Sequence, residues 1–230
     1  MSFVGRYNAS AVANGVANNG RMNKAGEIVS TPWATQMMFE GRVFIAGTGC
    51  EENGVAGTAD LDETTPVFGL VSPAGGVVAI PLWFKVYYDT EAAAAPEHLH
   101  LVYVQKDKAA FSAGTLLPAI NTIGGSNPRV AQAKLQHTLS SVTAITSAEN
   151  VMLTSREHIL TALFSVDGVT TFSNIEAPGL NIYELNWTPQ FPIGLYAGSA
   201  LYWYGIDATA RYNVAAAWVE IPADVYLSEE

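Results

Sequence analysis

The segment EHLH, residues 97–100, has the residue types and spacing of a candidate metal site. His98 and His100 are two residues apart, so on a β-strand they share a face, and two imidazoles on one face can bind one metal ion. The flanking pattern predicts such a strand, with Leu99, Leu101 and Tyr103 on the face opposite the histidines. Two histidines on the solvent face of an exposed strand are the simpler interpretation of the same pattern.

Cupin enzymes bind metal through a similar His-x-His pair, which is followed four or five residues later by a glutamate and then by a second histidine motif. In this chain Val104 and Gln105 stand where that glutamate is required, and Ala92 stands where cupins have a glycine. His137 and His158 lack the surroundings of the second motif. We therefore predict no metal site and no other cofactor, with the histidine pair as the candidate if a metal is bound.

The other motifs that carry chemistry are absent or incomplete. There is no Gly-x-Ser-x-Gly elbow for a nucleophile. Glu184 and Glu220 lie on predicted strands, where two carboxylates can form a glycosidase pair, but nothing in the sequence singles them out. The acidic run in residues 51–63 lacks the spacing and the glycine of an EF-hand, which favours a solvated loop over a calcium site. The sequence thus predicts no catalytic residue and a protein that is not an enzyme.

Cys50 is the single cysteine of the chain, so no intrachain disulfide can form. It lies in GTGCEENG, residues 47–54, a loop-like segment that we expect to be exposed. An unpaired cysteine in an oxidising setting can bond to a partner chain, whereas a small buried hydrophobic side chain is the other interpretation. Cys50 is therefore a candidate interface residue.

Charge is sparse and acidic. Hydrophobic residues make up 49% of the 230 and charged residues 14%, with a net charge of −10. Bulk nucleic-acid binding needs a basic field, so the balance argues against direct contact with nucleic acid. Sparse charge suits a subunit whose surface is largely buried against other copies. The acidity fits either ordinary solubility or a salt-rich, halophilic habitat.

The chain divides into an N-terminal arm and one domain. Residues 1–35 are rich in Asn, Ala and Gly and show no repeating apolar period. They predict an arm that becomes ordered against a partner, with a plain disordered terminus as the alternative. Residues 36–230 are predicted to form a single domain.

From residue 40 onward, short runs rich in Val, Ile, Phe, Tyr and Trp alternate with clusters of turn residues, which is typical of strands. The predicted strands span residues 42–47, 66–72, 77–89, 98–106, 138–146, 180–187, 200–205 and 212–221.

Helix signals are few. Thr154 and Glu157 form a capping box that predicts a helix over residues 154–164. Asn127 and Pro128 predict a weaker helix over residues 127–139. We predict an all-β protein, a single jelly-roll β-sandwich of about eight strands, with one or two short helices in the connections.

Four tryptophans lie on predicted strands: Trp83, Trp187, Trp203 and Trp218. Exposed rings at such positions can stack on sugars, which makes a carbohydrate-binding jelly-roll module the alternative function. Rings packed in the core or in an interface are the other interpretation. A cupin-like metal enzyme using His98 and His100 is the third functional class that the sequence leaves open.

The polar N-terminal arm, the eight predicted strands, the run PGLNIYELNWTPQFPIGLYAGSALYWY and the ending WVEIP (218–222) resemble single jelly-roll capsid proteins of viruses. More narrowly, the chain resembles the larger of the two major capsid proteins of membrane-containing icosahedral viruses of haloarchaea, the sphaerolipovirus-like group, and of their Thermus-phage relatives.

The resemblance implies a structural protein of the virion that assembles with copies of itself and with a second capsid protein. It also implies an internal membrane, or membrane proteins, beneath the shell. In such a shell the residues that pack subunit against subunit are expected to include Tyr202 and Tyr204, Ala215 and Ala217, together with Cys50.

Overall fold

A computed structural model describes residues 32–48, 54–57, 65–72, 75–90, 97–104, 113–125, 128–140, 151–159, 184–190, 193–205 and 211–226. These residues form two helices, α1 (Trp33–Phe39) and α2 (Ala223–Tyr226). Their strands are β1 (Val43–Gly47), β2 (Val55–Ala56), β3 (Phe68–Val71), β4 (Val77–Thr90), β5 (Glu97–Val104), β6 (Ala113–Leu117), β7 (Ile120–Asn121), β8 (Lys134–Ser140), β9 (Val151–Ile159), β10 (Glu184–Trp187), β11 (Ala200–Gly205) and β12 (Arg211–Pro222).

The strands form two antiparallel sheets of six. The first sheet has the order β10-β4-β12-β1-β7, with β2 also paired to β12. The second has the order β6-β8-β3-β11-β5-β9. The protein is therefore an all-β sandwich, and the predicted class is confirmed at this level.

The inner faces of the two sheets share one core. Phe44 of β1, Phe84 of β4 and Trp218 of β12 come from the first sheet, and Leu101 of β5 and Trp203 of β11 come from the second. The Phe84 and Trp203 ring centroids lie 6.1 Å apart, a tilted contact. Burying a large apolar side chain stabilises the fold by about 1.5–3 kcal/mol, so these rings hold the sheets together.

Strand β4 contains a β-bulge next to Pro81, and it continues as one strand on both sides of the bulge. Along its pairing with β12, Trp218 lies opposite Pro81 and Ala217 lies opposite Trp83, so Leu82 is an extra residue. A proline cannot donate a ladder hydrogen bond and is tolerated in a strand at a bulge. The bulge keeps both flanking segments in register with β12.

One glycine makes room for an aromatic ring on the second sheet. A Cβ at Gly69 of β3 would lie 2.8 Å from Tyr202 and 2.6 Å from Leu139, closer than carbon atoms approach. Glycine is therefore the residue that leaves room for the Tyr202 ring beside β3.

Most predicted strands are confirmed where the structure describes them. They correspond to β1, β3, β4, β5, β10, β11 and β12. The strand predicted over 138–146 begins earlier, at Lys134, and residues 141–146 lie outside the described part of the chain.

Both helix predictions are wrong for the residues that the structure describes. Residues 154–159 belong to β9, which pairs with β5 along its length, and Thr154 has no partner there because the register shifts beside it. Residues 134–139 belong to β8, and 128–133 form no helix. Pairing with distant strands outweighs the local capping patterns.

The described helices lie outside the strand connections that were predicted to hold them. Helix α1 precedes β1 and α2 follows β12. Helix α1 also crosses the predicted boundary at residue 35, and residues 1–31 of the predicted arm lie outside the described residues. The division into arm and domain stays a prediction.

Candidate functional site

Two of the predicted site residues lie on β5. His98 is opposite His158 of β9, and His100 lies between Arg156 of β9 and Tyr204 of β11. The second sheet therefore brings a third histidine position beside the predicted pair. The sequence pattern does not indicate it, because that pattern predicts a helix at His158. Cys50 lies outside the described residues, and its predicted role stays a prediction.

Tyr202 and Tyr204 lie on the outer face of the second sheet, where the chain itself covers them. Their exposed fractions are 0% and 1%, and they cluster with Val102 and Val104 of β5 and Leu139 of β8. The rings fill a second, smaller core outside the sandwich. A contact between these rings and a neighbouring copy, as predicted from the sequence, would need their cover to move aside.

The hydroxyl of Tyr202 is buried without a hydrogen-bond partner among the described residues. Desolvation by burial raises the pKa of this phenol above its ordinary value, because the phenolate is the form that needs water. Tyr202 therefore acts in the structure as an apolar ring, and its polar atom costs free energy.

The outer face of the first sheet is covered at one end. Met37 of α1 and Ala223 of α2 pack with Val43, Val219 and Ile221 of the sheet. Helix α1 is placed there by Gly41, whose φ of 66° turns the chain into β1, and by Asn121 of β7, whose side-chain amide donates to the Gly41 carbonyl at 2.8 Å.

The other end of that face is open. We call Ile45, Trp83, Lys85, Tyr87 and Ile120 the open face. Ile120 of β7, Ile45 of β1, Ala217 of β12 and Trp83 of β4 form one row across four strands, because they are register partners in turn. Ile120 is 71% exposed, Ile45 38% and Tyr87 36%, whereas Trp83 and Lys85 are half-buried and Ala217 in the middle of the row is buried.

The open face has one charged side chain among these five residues. The Lys85 ammonium lies 6.0 Å from the centre of the Trp83 ring, at the outer limit of a cation–π contact. Farther along the strands, Asn213 is the register partner of Tyr87, and there the Thr48 hydroxyl donates to Asn213 at 2.8 Å and accepts from the Val214 amide. An apolar row with a polar border is typical of an interaction site.

Helix α1 adds two exposed aromatic side chains of its own. Trp33 is 45% exposed and Phe39 62% exposed, while Met37 of the same helix is buried. The helix therefore has apolar residues on its outward side as well as on the side that packs against the sheet.

Glu220 is a buried carboxylate of β12 that binds the backbone just before β8. Its oxygens accept hydrogen bonds from the Gln132 amide at 2.8 and 3.0 Å, from the Ala133 amide at 2.8 Å and from Trp218 Nε1 at 3.1 Å. These donors satisfy the charge without a cation. The arrangement is structural: it anchors residues 131–133 against the first sheet.

The two glutamates considered for glycoside hydrolysis lie at distant register positions of the first sheet. Glu184 is at the register position of Tyr87, and Glu220 is at that of Ala79, eight residues along β4 and on the opposite face of the sheet. Eight strand residues span about 26 Å, far beyond the 5–10 Å of a glycosidase pair.

The four tryptophans considered for sugar stacking separate into two groups. Trp203 and Trp218 are core residues, and Trp187 packs on Phe84 with ring centroids 5.9 Å apart. Trp83 alone among these four lies on the open face.

In the part of the chain that the structure describes, no helix combines the length and the apolarity that crossing a bilayer requires. Comparison of the chain with known protein families, with curated proteins and with solved structures finds no match.

Proposed function

We propose that the sandwich is a jelly roll. Its framework is the eight strands that remain when β2, β6, β7 and β8 are set aside. In chain order, the first pairs with the last (β1·β12), the second with the seventh (β3·β11), the third with the sixth (β4·β10) and the fourth with the fifth (β5·β9). That is the pairing of one long eight-stranded hairpin.

The remaining pairings support a rolled hairpin. The last strand also pairs with the third (β12·β4), and the seventh with the fourth (β11·β5), as happens when the hairpin is wound into two sheets. The segment between β5 and β9 then extends both sheets on one side, with β7 beside β1 and β8 beside β3.

The function that this framework and surface support best is a structural one, a viral capsid subunit that assembles through repeated side-to-side contacts. Its partners are copies of itself and a second capsid protein, in an icosahedral shell over an internal membrane, and its location is the virion. Many weak, symmetry-related contacts add up to a stable shell, which requires no catalytic residue in the subunit.

The observation that carries the proposal is the open face. Ile120 and Ile45 are register partners, and both are exposed on the outer face of the first sheet. Helix α1 covers the other end of the same face. Interface centres favour aromatic and apolar side chains and contain few charges, as this row does. With a net charge of −10, the subunit would meet a membrane or a protein more readily than the genome.

The test is the mass of the purified protein in solution, measured by light scattering after size exclusion. We expect assemblies larger than one chain for the wild type and a shift toward the single chain for Ile120→Asp with Ile45→Asp. Val130→Asp is the matched control, because Val130 is 86% exposed but lies outside the open face. A single-chain wild type, or an equal shift in the control, would contradict the proposal.

A carbohydrate-binding module is the second candidate, favoured by one observation. Trp83 and Tyr87 are incompletely buried aromatic residues on the same open face, and rings presented by a sheet can stack on sugars. A glycan array separates the two candidates: specific glycan binding that is lost in Trp83→Ala, with a single-chain mass, would favour this one.

A further inference from the structure

Three of the four histidines of the chain occupy neighbouring register positions on the second sheet. His98 of β5 lies directly opposite His158 of β9, and His100 lies two residues farther along β5. Opposite residues of an antiparallel pair share a face, and so do residues two apart on one strand. The three histidines are therefore placed on one face, although His158 is 60 residues from His98 in the sequence.

The spacing of these positions suits one metal ion. Opposite residues have Cβ atoms about 4.5–5.5 Å apart, diagonal neighbours are about 7–8 Å apart, and positions two apart on a strand are about 7 Å apart. Ring nitrogens bind zinc at about 2.0–2.1 Å, and three histidines with a fourth, open position are an established zinc donor set. Three positions this close together in the backbone register can supply three imidazoles to one ion.

The chemistry of the set selects the metal. Glu97 and Glu157 alternate with the histidines and so belong to the other face, which leaves a donor set of nitrogens without carboxylates. Imidazole favours Zn²⁺, Ni²⁺ and Cu²⁺ over Mg²⁺ and Ca²⁺. Arg156 is at the position opposite His100 on the same face, and its positive charge opposes a cation, so we expect moderate rather than tight binding.

We propose that His98, His100 and His158 together bind a divalent transition metal such as Zn²⁺ on the outer face of the second sheet. Within the described residues, no three His, Cys, Asp or Glu side chains form a metal site. The proposal is drawn from the backbone register of β5 and β9, which puts the three positions next to one another. It is independent of the proposed function, since either a shell subunit or a binding module can hold such an ion.

Calorimetric titration of the metal-free protein with Zn²⁺ tests the proposal. We expect one ion per chain, with affinity falling as the pH is lowered, because protons compete with the metal for the same nitrogens. His98→Ala and His158→Ala should each lower the affinity at least about tenfold, since each removes a ligand.

The fourth histidine provides the matched control. His137 lies on β8 at the positions of Phe68 and Thr115, away from β5 and β9, so His137→Ala should bind Zn²⁺ as the wild type does. Circular dichroism checks the fold of each variant, and His→Gln at the same position replaces any alanine variant that unfolds. The proposal is wrong if the wild type takes up no Zn²⁺, or if the His137 variant loses as much affinity as the other two.

Discussion

The two outer faces of the sandwich differ in how they are covered. On the second sheet, Tyr202, Tyr204 and their apolar neighbours are sealed by the chain itself. On the first sheet, α1 and α2 cover one end, whereas Ile45 and Ile120 remain exposed at the other. Both faces are rich in large apolar side chains, but one of them buries these side chains within the subunit.

The covered side chains of the second sheet stabilise the subunit, whereas the exposed side chains of the first sheet are available for interaction. Apolar rings that the chain covers contribute to the free energy of unfolding through burial. Apolar side chains that stay exposed contribute little to it, so their presence in a row calls for a partner. The sequence-based expectation assigned intersubunit contacts to Tyr202 and Tyr204. The described surface makes the first sheet the stronger candidate.

Tyr202→Ala should have the largest effect. The substitution empties a fully buried ring site on the second sheet, so we expect the free energy of unfolding to fall by about 3–5 kcal/mol. Tyr87→Ala, on the open face, should cost less, about 1–2 kcal/mol, because this ring is 36% exposed in the fold. Denaturant unfolding of both variants checks the difference, and equal losses would show that the two faces are not distinct.

Glu220→Ala tests the core between the two sheets, where this buried carboxylate accepts its hydrogen bonds. It leaves the amides of Gln132 and Ala133 and the Trp218 indole without their acceptor, which we expect to cost about 2–4 kcal/mol. Glu220→Gln keeps one acceptor oxygen and should lose less. A loss in the alanine variant no larger than that of an ordinary surface substitution would contradict the anchoring role of the carboxylate.

Tyr202→Phe should have a smaller effect of the opposite sign. Removing the unpartnered, buried hydroxyl should raise the free energy of unfolding by about 1 kcal/mol at neutral pH. The pKa of the Tyr202 phenol is raised in the fold, so above pH 10, where the unfolded phenol ionises, the wild type should lose stability as pH rises.

Alkaline pH should separate the stabilities of the two proteins further. The phenylalanine variant lacks that ionisation, so its advantage over the wild type should grow between pH 10 and pH 11. Thermal unfolding at pH 7, 10 and 11 measures it. A lower stability of the variant at pH 7 would instead mean that the hydroxyl has a partner.

Ile120→Ser should have the smallest effect on the isolated chain. Ile120 is 71% exposed and lies on the short edge strand β7, so the free energy of unfolding should change by no more than about 0.5 kcal/mol. Denaturant unfolding at low protein concentration checks this value. A loss of 2 kcal/mol or more would mean that Ile120 belongs to a core of the subunit.

The strands that could be predicted from the sequence are those with long apolar runs. Strands β4 and β12 bury residues on both faces, and their composition alone indicates β-structure. The runs that failed depend on distant partners. Residues 154–159 match a helix-capping pattern in the sequence, but residues 155–159 pair with β5, and the short strand β7 forms against β1.

The site residues show the same limit. The sequence identified His98 and His100 by their spacing, but the position of His158 beside them follows from the β5·β9 register alone. Glu220 likewise accepts from amides 87 and 88 residues away, a relation that no local pattern contains. Ile120 and Ile45 are exposed because α1 packs on the other end of the first sheet and does not reach them.

The most direct test of the central claim, that the open face is a contact between copies, is the reactivity of single cysteines. In a Cys50→Ser background, Ile120→Cys and Val130→Cys are labelled with a maleimide in dilute protein and in assembled protein. The account predicts that position 120 reacts in the dilute chain and is protected on assembly, whereas position 130 reacts in both. Equal reactivity of the two positions in the assembled protein would contradict it.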